Sequence, residues 1–160
     1  MDLAASATFV AEPEESNVMN KPPIDTKETF MNRSLLAGIG IGALSLFAAV
    51  TINFIFIWFQ TQNLPQAQTV AFATWMVGHI FLALNFRSEK EPLLKLGFLS
   101  NKVMVIWALL VAATLVTGTS LPLLHNSLKI TNLTLQEWVM VIGLSFAATF
   151  WMELKKLLNK

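Results

Sequence analysis

From Ser34 to Phe86 the chain carries no Asp, Glu, Lys or Arg. No soluble fold buries a run of that length without a charged residue on its outer face, whereas a bilayer demands it. A helix needs about 20 apolar residues to cross a hydrocarbon core, so this stretch is too long for one span and right for two. Its middle reads Gln60-Thr61-Gln62-Asn63-Leu64-Pro65-Gln66, a polar turn containing a proline, and this divides it into helices over 35–59 and 68–86. A third uncharged stretch predicts a span over 103–124. A fourth run, Trp138 to Met152, lies between Glu137 and Glu153. It is short for a span. Leu135 and Leu154 extend it, and its acids can reach the interface, giving a span over 136–154. The expected fold is therefore all-α, a polytopic membrane protein built as a four-transmembrane-helix bundle. Composition agrees: only 13% of the residues are charged, against about 25% in a soluble domain.

The basic residues set the orientation. Lys21, Lys27 and Arg33 precede the first span, Arg87, Lys90, Lys95 and Lys102 separate the second from the third, and Lys155, Lys156 and Lys160 follow the fourth. Of the 11 basic residues only Lys129 falls on the other side. Lys and Arg gather in cytoplasmic loops, so both termini are expected in the cytoplasm, with the chain in the plasma (inner) membrane. Three or five spans would destroy the alternation. Net charge is +1, which leaves no electrostatic footprint for nucleic acid. The chain has no cysteine, which excludes disulfides, thiolate metal sites and thiol catalysis.

The amino terminus does not read as a signal peptide, which would place basic residues before an apolar run. Met1 to Ala11 is weakly apolar and opens with Asp2; Glu12, Glu14 and Glu15 follow, then Lys21-Pro22-Pro23. Residues 1–33 read as the end of an upstream membrane helix plus a cytoplasmic connector, ahead of a transmembrane domain over 34–160. The apolar piece is under half a span, and a helix that begins midway through a bilayer implies that something upstream is missing.

Few residues carry chemistry. Gly38, Gly40 and Gly42 spell G-x-G-x-G, but no strand precedes them and the pattern is shorter than a dinucleotide fingerprint. Gly38 and Gly42 instead form a small-xxx-small surface for helix packing. His79 is the only ionisable side chain within the first two spans, about 12 Å from the helix end at Arg87. An ionisable group at that depth is a candidate functional residue; the plainer reading is a neutral imidazole bonded to a neighbouring helix. Asn53, Asn85, Thr114 and Thr117 are expected to make interhelical hydrogen bonds. Trp58, Trp138 and Trp151 sit where interfacial anchors belong. Asn132-Leu133-Thr134 is a formal glycosylation sequon. His125 lacks a second ligand at metal-site spacing. No catalytic triad, phosphate loop or carboxylate pair emerges.

The order of these pieces resembles the carboxy-terminal membrane region of cation-transporting P-type ATPases. The run from Met1-Asp2-Leu3 to Ala11-Glu12-Pro13 looks like the end and exit of that family's sixth membrane helix. Met19-Asn20-Lys21-Pro22-Pro23 resembles the connector that follows, Ala83-Leu84-Asn85-Phe86-Arg87-Ser88-Glu89 the end of the eighth helix, and Leu135 to Leu158 the tenth. The resemblance implies that Asp2 matches the cation-binding acid of the sixth helix. It places His79 where calcium pumps of the family have a carboxylate. Calcium prefers oxygen ligands, so an imidazole there points away from a calcium pump of the muscle type. The family's phosphorylated D-K-T-G-T motif is absent. The chain is thus expected to hold no cofactor of its own, ATP and magnesium binding to missing upstream domains. Its expected partners are the lipid bilayer and the upstream part of the pump, as a fragment, a split-pump subunit or a truncated reading frame. The alternative is a free-standing four-helix membrane interaction protein with no transport role.

Overall fold

A computed structural model describes residues 2–14, 33–88 and 91–158. The Pro22-Pro23 connector lies outside the described residues. The elements, in chain order, are α1 (Asp2–Phe9), α2 (Arg33–Thr61), α3 (Leu64–Asn85), α4 (Leu93–Leu96), α5 (Lys102–Ser120), α6 (Pro122–Leu128) and α7 (Leu135–Leu158). No strand occurs among the described residues. Four helices, α2, α3, α5 and α7, are long and apolar enough to cross a membrane. Arg33, Arg87, Lys102, Lys155 and Lys156 all lie at or near helix termini on one side, the basic end of the bundle.

The helix limits differ from the hydropathy reading wherever local backbone chemistry overrides polarity. The polar segment between the first two spans narrows to Gln62 and Asn63. Gln62 takes a left-handed φ of 51°, and the Asn63 side chain caps α3 by accepting from Gln66 N at 3.3 Å. Pro65 falls in the first turn of α3, where its missing N–H costs nothing. So α3 starts at Leu64 rather than at residue 68. The third span ends at Ser120, not at residue 124, because Pro122 forces Leu121 into an extended conformation (φ −90°, ψ 112°) and the chain restarts as α6. At the head of α7, Thr134 Oγ1 accepts from Glu137 N at 3.3 Å while Glu137 Oε2 accepts from Thr134 N at 2.7 Å. This reciprocal capping box uses the threonine of the Asn132 sequon.

α3 packs against both α2 and α7, while α5 stands to one side against α1, α3 and α6. The core of the trio is built on small and branched residues: Ala67, Val70, Ala73 and Val141 are each 0% exposed. Small residues let helix backbones approach, the main source of affinity between helices in lipid. The close-packed glycine is Gly78, where an added Cβ would overlap Leu46 of α2. The expected Gly38–Gly42 surface is only partly used. A Cβ added at Gly42 would meet Leu82 of α3 and Phe86 just after it at 3.5–3.7 Å, whereas one at Gly38 or Gly40 would meet nothing within 4 Å among the described residues. Large apolar side chains such as Leu44, Phe47, Phe59, Leu109 and Val139 point outward, as a hydrocarbon solvent permits.

Candidate functional site

His79 sits in α3, half-buried, with its ring edge-on to Trp75 at 4.8 Å between centroids. Its Nδ1 lies 3.3 Å from Trp75 O, one turn back in the same helix. This contact lies within α3, where an i−4 carbonyl is already in reach without the approach of a second helix. The imidazole lines a cavity of about 380 Å³ between α2 and α3, with Ala43, Leu46, Val50, Trp75 and Leu82 among its walls. Asp2 opens α1, but its side chain lies outside the described residues. No three His, Cys, Asp or Glu side chains converge as a metal-ligand set among the described residues.

Near the middle of the bundle a polar node joins three helices. Asn53 Nδ2 of α2 donates to Thr74 Oγ1 of α3 at 2.7 Å, and Ser145 Oγ of α7 donates to Thr74 O at 3.1 Å. Asn53, Thr74 and Ser145 are each 0% exposed. Asn53 thus bonds between helices as its sequence suggested, but the side-chain bonds of Asn85 and Thr114 are intrahelical: Asn85 Nδ2 donates to Phe81 O and Thr114 Oγ1 to Leu110 O, each four residues back. Thr117 is exposed on α5. Among the described residues Asn53 Oδ1 and Asn85 Oδ1 have no hydrogen-bond donor.

The densest polar cluster lies at the basic end, where the chain leaves α1, α3 and α7. Arg87 follows α3 directly, and its side chain is 1% exposed against 15% for its partner Glu12. Nε and Nη2 of Arg87 donate to Glu12 Oε1 at 2.9 and 2.7 Å, Nη1 donates to Gly97 O at 2.8 Å, and Nη2 also reaches Ser100 Oγ. Gly97 can present that carbonyl because it adopts φ 81°, a left-handed conformation that a side chain would oppose. Asn101 closes the cluster. Its Nδ2 donates to Thr8 O at 2.9 Å and to Glu12 Oε2 at 2.8 Å, and its Oδ1 caps α5 by accepting from Met104 N at 2.9 Å. A second ion pair stands beside it on α7. Glu153 Oε1 accepts from Lys156 Nζ at 2.7 Å and Oε2 from Leu93 N at 2.7 Å, while Lys156 also donates to Asn85 O at the carboxyl end of α3. The geometry is that of a fastening: charged groups at helix ends, each with several partners, holding α1, α3, α4, α5 and α7 in one arrangement.

The partnership of Glu12 with Arg87 is the feature that sequence reasoning missed. The residues are 75 positions apart, and each reads locally as an ordinary solvated charge beside a membrane helix. The available signal was that two oppositely charged residues end two helices on the same side of the bundle.

Comparison with known proteins bears on this arrangement. A profile of the family described as "Cation transporting ATPase, C-terminus" matches residues 1–158. A calcium-transporting ATPase 1 of Bacillus cereus is 27% identical, the alignment covering 99% of this chain and 20% of that protein. A calcium-transporting ATPase type 2C member 2 of Rattus norvegicus is 25% identical over 100% of this chain and 17% of its own length. A calcium-transporting ATPase 1 of Lactococcus lactis is 29% identical over 97% of this chain and 17% of its own length. The chain therefore spans a fifth or less of the relatives it matches.

Proposed function

Because this chain belongs to the cation-transporting P-type ATPases, as a C-terminal transmembrane domain of that family, we propose that it supports ion translocation by an ATP-driven pump whose hydrolysing machinery is carried by upstream polypeptide. The observation that carries this reading is the match over residues 1–158, which includes α1 and not the four spans alone. ATP and magnesium bind the upstream domains, since the chain contains no D-K-T-G-T sequence for phosphorylation. The basic end faces the cytoplasm, by the distribution of Lys and Arg, and the membrane is the plasma membrane.

Asp2 and His79 line the cation path in this reading. Calcium, the ion in the names of the relatives above, is the first cation to test. Asp2 offers it a hard oxygen ligand, whereas the His79 imidazole does not. His79 therefore acts as a hydrogen-bonding wall of the path rather than as a calcium ligand.

Co-expression of this chain with the upstream region of the pump tests the proposal. The expected result is co-purification and a calcium-dependent, vanadate-sensitive phosphoenzyme on the upstream polypeptide, with no ATP hydrolysis by the purified chain alone. A chain that is stable by itself, associates with no upstream region and supports no phosphoenzyme would make it a free-standing membrane protein instead.

A further inference from the structure

We propose that Arg87 is a positioning residue for cation binding: by gripping Glu12, it fixes the placement of α1, the helix that carries Asp2. This rests on the pump reading above.

α1, described over Asp2–Phe9, packs chiefly on α5. The hydrogen bonds that fasten its exit run to Asn101 and Arg87. Asn101 Nδ2 bonds both Thr8 O and Glu12 Oε2, so the amide that caps α5 also holds the end of α1. The Arg87 guanidinium spans the rest, reaching Glu12, Gly97 and Ser100 at once. That set of acceptors suits a planar fork with five donors and cannot be met in full by a lysine ammonium, a point charge with three. Thr8, at the seam, is 1% exposed. The last turns of α1 thus have one seat, and their axial position is set from the basic end by a buried ion pair whose breaking leaves a charge without a partner. Asp2 lies six residues before Thr8 in the same helix, about 9 Å along its axis. A rigid helix transmits a slip at its exit to its other end, so loosening the grip moves the acid relative to the upstream ligands.

Two measurements decide the matter. The chain has no cysteine, so Thr8→Cys gives a single thiol at the seam. Maleimide labelling in open membrane sheets, with both faces accessible, is expected to be slow with Arg87 present and at least about tenfold faster with Arg87→Ala, Arg87→Lys lying between. Asn101→Asp provides a variant that keeps the cap of α5 while setting a carboxylate against Glu12, and it too should speed labelling. Equal labelling in all four backgrounds overturns the seat. The second measurement uses the chain co-expressed with its upstream region and reads phosphoenzyme against calcium concentration. Arg87→Lys and Asn101→Asp are expected to raise half-saturating calcium by about tenfold with the maximal level unchanged. A reduced maximum with half-saturation unmoved makes Arg87 a structural residue only and overturns the proposal, although the pump reading stands. No phosphoenzyme with the unaltered chain overturns the pump reading and this role of Arg87 with it, whatever the labelling shows of the seam.

Discussion

Replacing Gly78 by alanine tests the close approach of α2 and α3 at a single atom. A Cβ at Gly78 would overlap Leu46 Cδ1 and would stand 3.5 and 3.6 Å from Leu46 Cγ and Cδ2. The obstacle is the end of a flexible side chain, not backbone, so Leu46 must rotate away or the helices must part. Overpacking of this kind costs about 1–3 kcal/mol. Against it, alanine in place of glycine favours a helix by about 1 kcal/mol. Gly40→Ala supplies the control, because a Cβ there meets nothing within 4 Å and receives the same propensity gain. The difference between the two variants isolates the collision. Gly78→Ala should be less stable than Gly40→Ala by about 1–3 kcal/mol, toward the lower figure because Leu46 also borders the cavity beside His79 and can swing into it. Unfolding by sodium dodecyl sulfate in mixed micelles, followed by far-ultraviolet circular dichroism, measures both. In a Leu46→Ala background the gap between the two glycine variants should close, since the colliding methyl is gone. Equal stability of Gly78→Ala and Gly40→Ala, or a gap that survives Leu46→Ala, would refute the steric argument.

The polar node should respond asymmetrically in the same assay. Asn53→Leu removes one interhelical hydrogen bond, about 0.6 kcal/mol on average in membranes, and with it an amide oxygen that has no donor, so its cost should stay below about 1 kcal/mol. Thr74→Val strands the Asn53 amide and should cost more, about 1–3 kcal/mol; the reverse order would contradict the hydrogen bonding described. Topology is open to direct labelling. Leu99, 74% exposed, is a suitable cysteine site for the basic side, with Asn63 and Asn132 for the opposite side. An impermeant thiol reagent on intact cells should label cysteine at 63 and 132 and spare position 99, and the opposite pattern would invert the orientation.

Hydropathy located the spans because lipid imposes one strong rule, the absence of charge, over the whole length of a helix. It misplaced their ends because caps and prolines act through two or three atoms. Leu121 and Leu124 are as apolar as any residue of α5, yet Pro122 between them ends the helix. The small-xxx-small pattern at Gly38 and Gly42 named a surface without naming what meets it, and the glycine in closest contact is instead Gly78, which faces Leu46 of α2. His79 was legible as an imidazole within a span, but not its contact with the carbonyl one turn back in its own helix. The Arg87–Glu12 pair was hidden by distance in sequence.

The break at Pro122 bears on the membrane itself. α5 has 19 residues, and the apolar part of α2, Leu36–Thr61, has 26. At 1.5 Å per residue these are about 28 and 39 Å long, against a hydrocarbon core of about 30 Å. One helix barely reaches across while another overshoots in the same bundle. The short helix fixes how thick a bilayer can be before Lys102 is drawn into it, and the long one must lean or project to fit the same slab. Because α5 meets the bundle through α1 and α3 and leads into the fastening at Asn101, a bilayer thicker than its span would pull on that fastening. Lipid thickness would then be felt first at the grip on α1.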